Sequence, residues 1–168
     1  RHRNYPQSTL TRSLSPRPLP GRRALGREVD RVERLARRQE EAIALLGRKT
    51  DGAENIEKLL KGILRLGPEL AVITDGKKGA YALSQSRLYR TASPNVRVVE
   101  TTGAGDAFAA GFVAGLIKKG SIELGMQLGT SNAISVIQHH GAKNRLLRYN
   151  EALKMIKKYR IKPYVKLV

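Results

Sequence analysis

The sequence contains no cysteine. Disulfides and thiolate ligands for a structural zinc are therefore unavailable, and nothing opposes an intracellular setting. No apolar run approaches the length that spans a bilayer and no hydrophobic signal segment is visible, so a soluble, cytoplasmic protein with no membrane partner is expected. Acidic residues are scarce, 14 against 32 Lys and Arg, giving a formal charge of +18 over 168 residues. Such a charge invites a nucleic-acid reading, but it is not one patch. Residues 1–40 carry eleven Arg and no Lys against four acids, whereas residues 41–168 carry thirteen Lys and eight Arg against ten acids. Aromatic side chains that would stack on bases are nearly absent from the arm, where Tyr5 stands alone in the first forty residues.

Four of the seven prolines fall in the first twenty residues, among Ser and Arg, as in Ser15-Pro16-Arg17-Pro18-Leu19-Pro20-Gly21. Such a segment cannot bury enough apolar surface to fold by itself. Three readings compete for it: a nucleic-acid-binding tail, an Arg-rich transit peptide with no acid before Glu28, or foreign sequence from a shifted frame or misassembled gene. The absent initiator Met, the use of Arg without Lys and the abrupt change near Gln39 favour the third. The expected organisation is a disordered or non-native basic arm over 1–38 and an α/β body over 39–168.

Within the body, Val98-Val99-Glu100-Thr101-Thr102-Gly103-Ala104-Gly105-Asp106-Ala107-Phe108 joins a strand end, a glycine turn and a helix start. Gly103-Ala104-Gly105 removes bulk where a backbone must pass close to something, and Asp106 opens a run in which Phe108, Phe112, Val113, Leu116 and Ile117 recur at helical spacing. The free N–H groups of that first turn, with the positive end of the helix dipole, make a seat for an anion such as a phosphate. A glycine turn capped by an aspartate is also a common way to start any helix.

The longer string Glu-Thr-Thr-Gly-Ala-Gly-Asp-Ala-Phe-Ala-Ala-Gly-Phe is more specific, and it resembles the C-terminal signature of the ribokinase-like carbohydrate kinases, the PfkB family. The resemblance implies that Asp106 takes the proton from an acceptor hydroxyl and that the amides of Gly103, Ala104 and Gly105 form an anion hole for the transferring phosphoryl group. Phosphoryl transfer itself asks for positioning and charge stabilisation, which a fan of N–H donors beside a carboxylate supplies.

The remaining elements alternate, as an α/β layer fold requires. A short helix spans residues 41–47. Its Glu41 matches the glutamate of the family's Asn-x-x-Glu motif on the Mg²⁺ side, although Arg38 stands at the asparagine position; the bland alternative is a first-turn acid favoured by the helix dipole. Ile56, Leu59, Leu60, Ile63 and Leu64 give a helix with one buried stripe that stops at Gly67-Pro68. Leu70–Thr74 reads as a buried strand. In Asp75-Gly76-Lys77-Lys78-Gly79 the lysines are either solvated turn residues or, by the resemblance, part of a stretch along the nucleotide phosphates in which Thr74, Gly76 and Gly79 match.

A hairpin over 80–91 turning at Gln85-Ser86, a strand over 96–100, a helix from Ile122 to His139 capped by Ser121, and a helix over 150–159 followed by extended 161–167 complete the pattern. The resemblance puts Asn132 beside the adenine, where a surface amide is the alternative. It also makes Gly141-Ala142-Lys143 a loop closing over the base, with Glu100 and the Thr102 carbonyl as monovalent-cation ligands, although Asn144-Arg145 replace the Pro-Ser of many ribokinases. The adjacent His139 and His140 point in different directions on a helix and make no metal site.

The resemblance covers residues 39–148 and is strongest over 97–142. It implies a partial three-layer α/β/α ribokinase-like fold with a mostly parallel sheet. It also implies an ATP-dependent kinase of a sugar, sugar phosphate or nucleoside that uses ATP, Mg²⁺ and a monovalent cation such as K⁺, with room for an oligomer. Family members are about twice this long, and the sugar-gripping motifs of their N-terminal half are not found here. The chain reads as an incomplete copy without activity of its own, with Leu70–Thr74 left at an open sheet edge that residues 1–38 cannot repair. A basic nucleic-acid-binding protein or an inactive remnant are the alternatives.

Overall fold

A computed structural model describes residues 36–47, 55–141 and 145–168. The arm before Ala36 and the loop residues 142–144 lie outside the described residues, as do the readings made for them. In chain order the elements are β1 (Ala36–Arg38), α1 (Gln39–Leu45), α2 (Ile56–Leu64), β2 (Leu70–Thr74), a single 3₁₀ turn (Gly76–Lys78), β3 (Ala80–Ser84), β4 (Arg87–Thr91), α3 (Ala104–Lys119), α4 (Ile122–Ile137), α5 (Tyr149–Tyr159) and β5 (Tyr164–Leu167).

The five strands form one sheet in the order β1-β2-β3-β4-β5. Because successive side chains point to opposite faces, the continuous apolar run of β2 serves two cores at once. Leu70 and Val72 join Ala80, Ala82 and Tyr89 on one face, against Phe108, Phe112 and Leu116 of α3 and Ile122 and Met126 of α4. Ala71, Ile73 and Leu83 face the other way, onto Ala42 and Ile43 of α1 and Leu59, Leu60 and Ile63 of α2. Helices therefore cover both faces, and the architecture is the expected α/β/α sandwich. The buried stripe of α2 is the one its spacing predicts, and the Asn55 side chain caps the helix by accepting from the Glu57 N–H at 2.9 Å.

Three features differ from the sequence-based expectations. First, β2 does not stand at an open edge, because Ala36–Arg38 pairs in parallel with Val72–Thr74. A three-residue strand is held by its backbone, so Ala-Arg-Arg carries no apolar pattern to betray it, and the body begins ahead of the boundary at residue 39. Second, pairing is parallel only between β1 and β2 among the described residues, whereas β2–β3, β3–β4 and β4–β5 are antiparallel. For β3–β4 the tight turn at Gln85-Ser86 permits nothing else.

Third, residues 96–100 are not a strand. Among the described residues no strand pairs with them, and the N–H groups of Val99 and Glu100 donate instead to the Ile137 carbonyl at the end of α4, at 2.7 and 3.2 Å. The hairpin, the Ser121 cap on α4 (Leu124 N–H to Ser121 Oγ, 3.2 Å) and the last helix fall where expected. The extended C-terminus adds β5 to β4.

Candidate active site

Helix α3 begins at Gly103, whose φ of +79° is a left-handed conformation that a residue without a Cβ adopts at no cost. No side chain caps this end. The Ala104 N–H is drawn back to the Thr101 carbonyl at 3.2 Å, and the Ala107 N–H closes the first helical bond, to Gly103, at 2.9 Å. The amides of Gly105 and Asp106, lying between them, are first-turn donors with no intrahelical acceptor. Of the three amides expected to form an anion hole, that of Ala104 is thus partly engaged, those of Gly103 and Gly105 make no backbone hydrogen bond, and Asp106 adds a further first-turn donor. The Asp106 side chain is exposed on the same turn.

Opposite stands the turn after β2. The Asp75 N–H donates to the Gly79 carbonyl (2.8 Å), Lys78 N–H to the Asp75 carbonyl (2.9 Å) and Gly79 N–H to the Gly76 carbonyl (3.1 Å). Gly79, at φ +100°, lies flat on the end of β4: a Cβ there would strike the Thr91 carbonyl and come within 2.9 Å of the Ser93 nitrogen. Between this turn and α3 runs a cleft of about 710 Å³, within the size range of small-molecule sites. Thr74, Gly76, Lys77 and Gly79 line one side and Ala104 and Gly105 the other; Val96, Val98, Ile134 and Ile137 supply apolar surface, and Gln39 and Glu40 of α1 complete the lining.

The sequence-based site residues are thus partly brought together. Thr74, Gly76, Gly79, Ala104 and Gly105 share the cleft, with Gly103 and Asp106 directly beside the last two. Glu41 does not line it, whereas Glu40 does. With two successive acids at a helix start, periodicity could not say which one faces inward.

Asn132 is buried within the fold and is not among the cleft residues. Its Oδ1 accepts the Leu147 N–H at 3.0 Å, and its Nδ2 would lie 2.9 Å from a Cβ on Gly111. It ties α4 to the segment before α5 and packs beside Gly111 of α3.

Glu100 lies beside the anion seat and joins two loops. Its Oε2 accepts the Gly141 N–H at 3.0 Å, and His140 Nδ1 is 3.8 Å away. The Gly141 amide and then the Thr102 side chain, with a lesser contribution from His140, hold the Glu100 carboxyl below its ordinary value against the opposing effect of burial. Among the described residues no cluster of three or more His, Asp or Glu side chains could by itself hold a metal. No described helix is long and apolar enough to cross a membrane.

A model of the pfkB family of carbohydrate kinases matches residues 30–148. The match starts at Asp30, so the likeness reaches into the segment ahead of Gln39. The chain is 35% identical over 89 residues to fructoselysine 6-kinase from Shigella flexneri, covering 53% of this chain and 34% of that protein. Among solved structures, ribokinase from Thermotoga maritima superposes with a TM-score of 0.64 at 23% identity, covering 77% of this chain and 44% of that one. Phosphofructokinase-2 from Escherichia coli in complex with potassium gives 0.64 at 22% identity, over 73% of this chain and 40% of that one. At these identities the structural likeness establishes the fold, which is ribokinase-like. The chain spans about a third of the length of the curated relatives it matches.

Proposed function

Because the chain belongs to the pfkB family of carbohydrate kinases, we propose that it carries the nucleotide- and phosphate-handling part of an enzyme that transfers the γ-phosphoryl group of ATP to an alcohol group of a sugar, sugar phosphate or nucleoside. The observation that carries this reading is the meeting, across one cleft, of the α3 N-terminus and the Thr74–Gly79 turn.

The cleft residues suit a nucleotide. The apolar walls match a base and ribose, and the unpaired amides of Gly105 and Asp106 match an anion at the helix N-terminus. Mg²⁺ prefers few protein carboxylates and several phosphate and water oxygens, so a single acid, Glu40, suffices on the metal side. Glu40 takes the place first read for Glu41. ATP would supply the phosphoryl group, and Mg²⁺, held on the protein side by Glu40, would supply charge neutralisation for the phosphates.

The chain's own residues do the rest. The Gly105 and Asp106 N–H groups, backed by the helix dipole, hold the oxygens of the group in transit. The Asp106 carboxylate accepts the proton of the acceptor hydroxyl as that oxygen attacks. Gly103 sets the turn that keeps donors and carboxylate in one frame.

Glu100, held ionised, and the Thr102 carbonyl beside it offer oxygens to a monovalent cation such as K⁺; phosphofructokinase-2, of like fold, is described with potassium. The acceptor is an alcohol group of a sugar, sugar phosphate or nucleoside; that the relatives include a fructoselysine 6-kinase and a 6-phosphofructokinase supports the sugars.

Asp106→Asn tests the assignment. In a full-length form of the kinase it is expected to lower turnover by about two to four orders of magnitude and to leave nucleotide affinity nearly unchanged. A variant that kept more than about a tenth of the turnover would remove Asp106 from the role of base.

A further inference from the structure

Two consecutive lysines stand on the 75–79 turn, and the fold uses them differently. Lys78 Nζ lies 3.2 Å from Asp75 Oδ2, so its charge is spent on the turn that carries it, and Lys78 is not among the cleft residues. Lys77, one position earlier, is exposed and lines the cleft that Ala104 and Gly105 close from the other side. Among the described residues it is the one Lys or Arg that lines the cleft, beside two acids, Glu40 and Asp75.

The turn holds this arrangement firmly. Three backbone hydrogen bonds close it, and Gly79 seats it against the β4 end with no space for a side chain. The direction in which position 77 leaves the backbone is therefore fixed by the fold.

A polyphosphate carries several negative charges, whereas the α3 N-terminus offers about half a positive charge spread over its first-turn amides. With Asp75 already paired to Lys78, the cleft still presents the Glu40 carboxylate, and a full positive charge near the phosphates offsets it and helps to hold them. Resting on the nucleotide reading above, we propose that Lys77 is the side-chain cation that holds the terminal phosphates of a nucleoside triphosphate in this cleft, while Lys78 serves only to pair Asp75. A flexible ammonium suits that task, since it acts as a point charge that can follow the phosphate as it moves.

The two lysines supply their own control, being adjacent, equally charged and on the same turn. Calorimetric titration of the 168-residue chain with ATP, ADP and adenosine in the presence of Mg²⁺ is compared for the unmodified protein, Lys77→Met and Lys78→Met. Lys77→Met is expected to weaken ATP about tenfold, ADP less and adenosine not at all, with the ATP effect shrinking as salt rises. Lys77→Arg should recover most of the loss. Lys78→Met should leave ATP within about twofold, the scale of an exposed pair.

Equal effects of the two Met variants would overturn the proposal and leave the nucleotide reading intact. So would a Lys77→Met effect of the same size on adenosine as on ATP. An unmodified chain that is folded by circular dichroism yet binds none of the three ligands at millimolar concentration would overturn both.

Discussion

Gly115 of α3 and Gly125 of α4 stand so close that a Cβ built on Gly115 would lie 2.5 Å from the Gly125 Cα. The two helices thus meet backbone against backbone. The same holds along their crossing, where a Cβ on Gly111 would lie 2.6 Å from the Leu128 carbonyl oxygen and one on Gly129 2.8 Å from that of Phe108. This contact fixes how α3 lies on the sheet, and so where its N-terminus, the anion seat, points.

Gly115→Ala is accordingly expected to destabilise the protein by about 1–3 kcal/mol, the cost of forcing atoms into a filled contact. On an exposed helix surface the same change would stabilise by up to about 1 kcal/mol through helix propensity. Urea unfolding followed by circular dichroism separates the two, since an unchanged or raised midpoint would mean that the helices are not in backbone contact.

Gly79→Ala should be harmful for two reasons acting together: a φ of +100° and a Cβ driven into the end of β4. We expect a loss of at least about 2 kcal/mol and, with the turn displaced, a fall in ATP affinity. Gly76→Ala makes the comparison, because its φ is +46° and nothing lies within 4 Å of the added Cβ. Its cost should stay near the left-handed penalty of about 1 kcal/mol. Similar losses for the two variants, measured by thermal and urea unfolding, would contradict this reading of the turn.

The link between residues 100 and 141 should depend on pH. Glu100 has a folded-state value below its ordinary one. Its contribution is therefore complete above the unfolded glutamate value of about 4.3 and is lost as pH falls through the lower folded value. The Gly141 amide resonance should move in that acid range. Glu100→Gln keeps an acceptor oxygen and should abolish the shift. A Gly141 resonance in Glu100→Gln that still moved with the same midpoint would assign the titration to another group.

Much of this was legible before the structure. The apolar run of β2 and the stripe of α2 have one dominant burial requirement each, and Ser121 has the cap chemistry its position needs, so local pattern and tertiary packing agree there. The Gly103–Asp106 turn was readable because a helix start without a side-chain cap needs glycine at the left-handed position. Other features rest on contacts distant in sequence, or on helix phase. Ala36–Arg38 is a strand only because β2 lies beside it, and Val96–Glu100 fails to be one because its amides turn to the end of α4. Glu40 and Glu41 differ in which one lines the cleft, and Asn132 is claimed by the Leu147 amide fifteen residues along the chain.

The central claim is that the N–H groups at the start of α3 and the facing turn receive the phosphates of a nucleotide. Its most direct test is amide chemical-shift mapping of the ¹⁵N-labelled chain during titration with Mg²⁺-ATP. The largest movements are expected at Gly105 and Asp106 and across Gly76–Gly79, with weaker ones at Ile134 and Ile137, and adenosine alone should move only the last two. Movements confined to the shallow cavity beside Arg97, His139 and Tyr159, or none at millimolar nucleotide, would contradict the account.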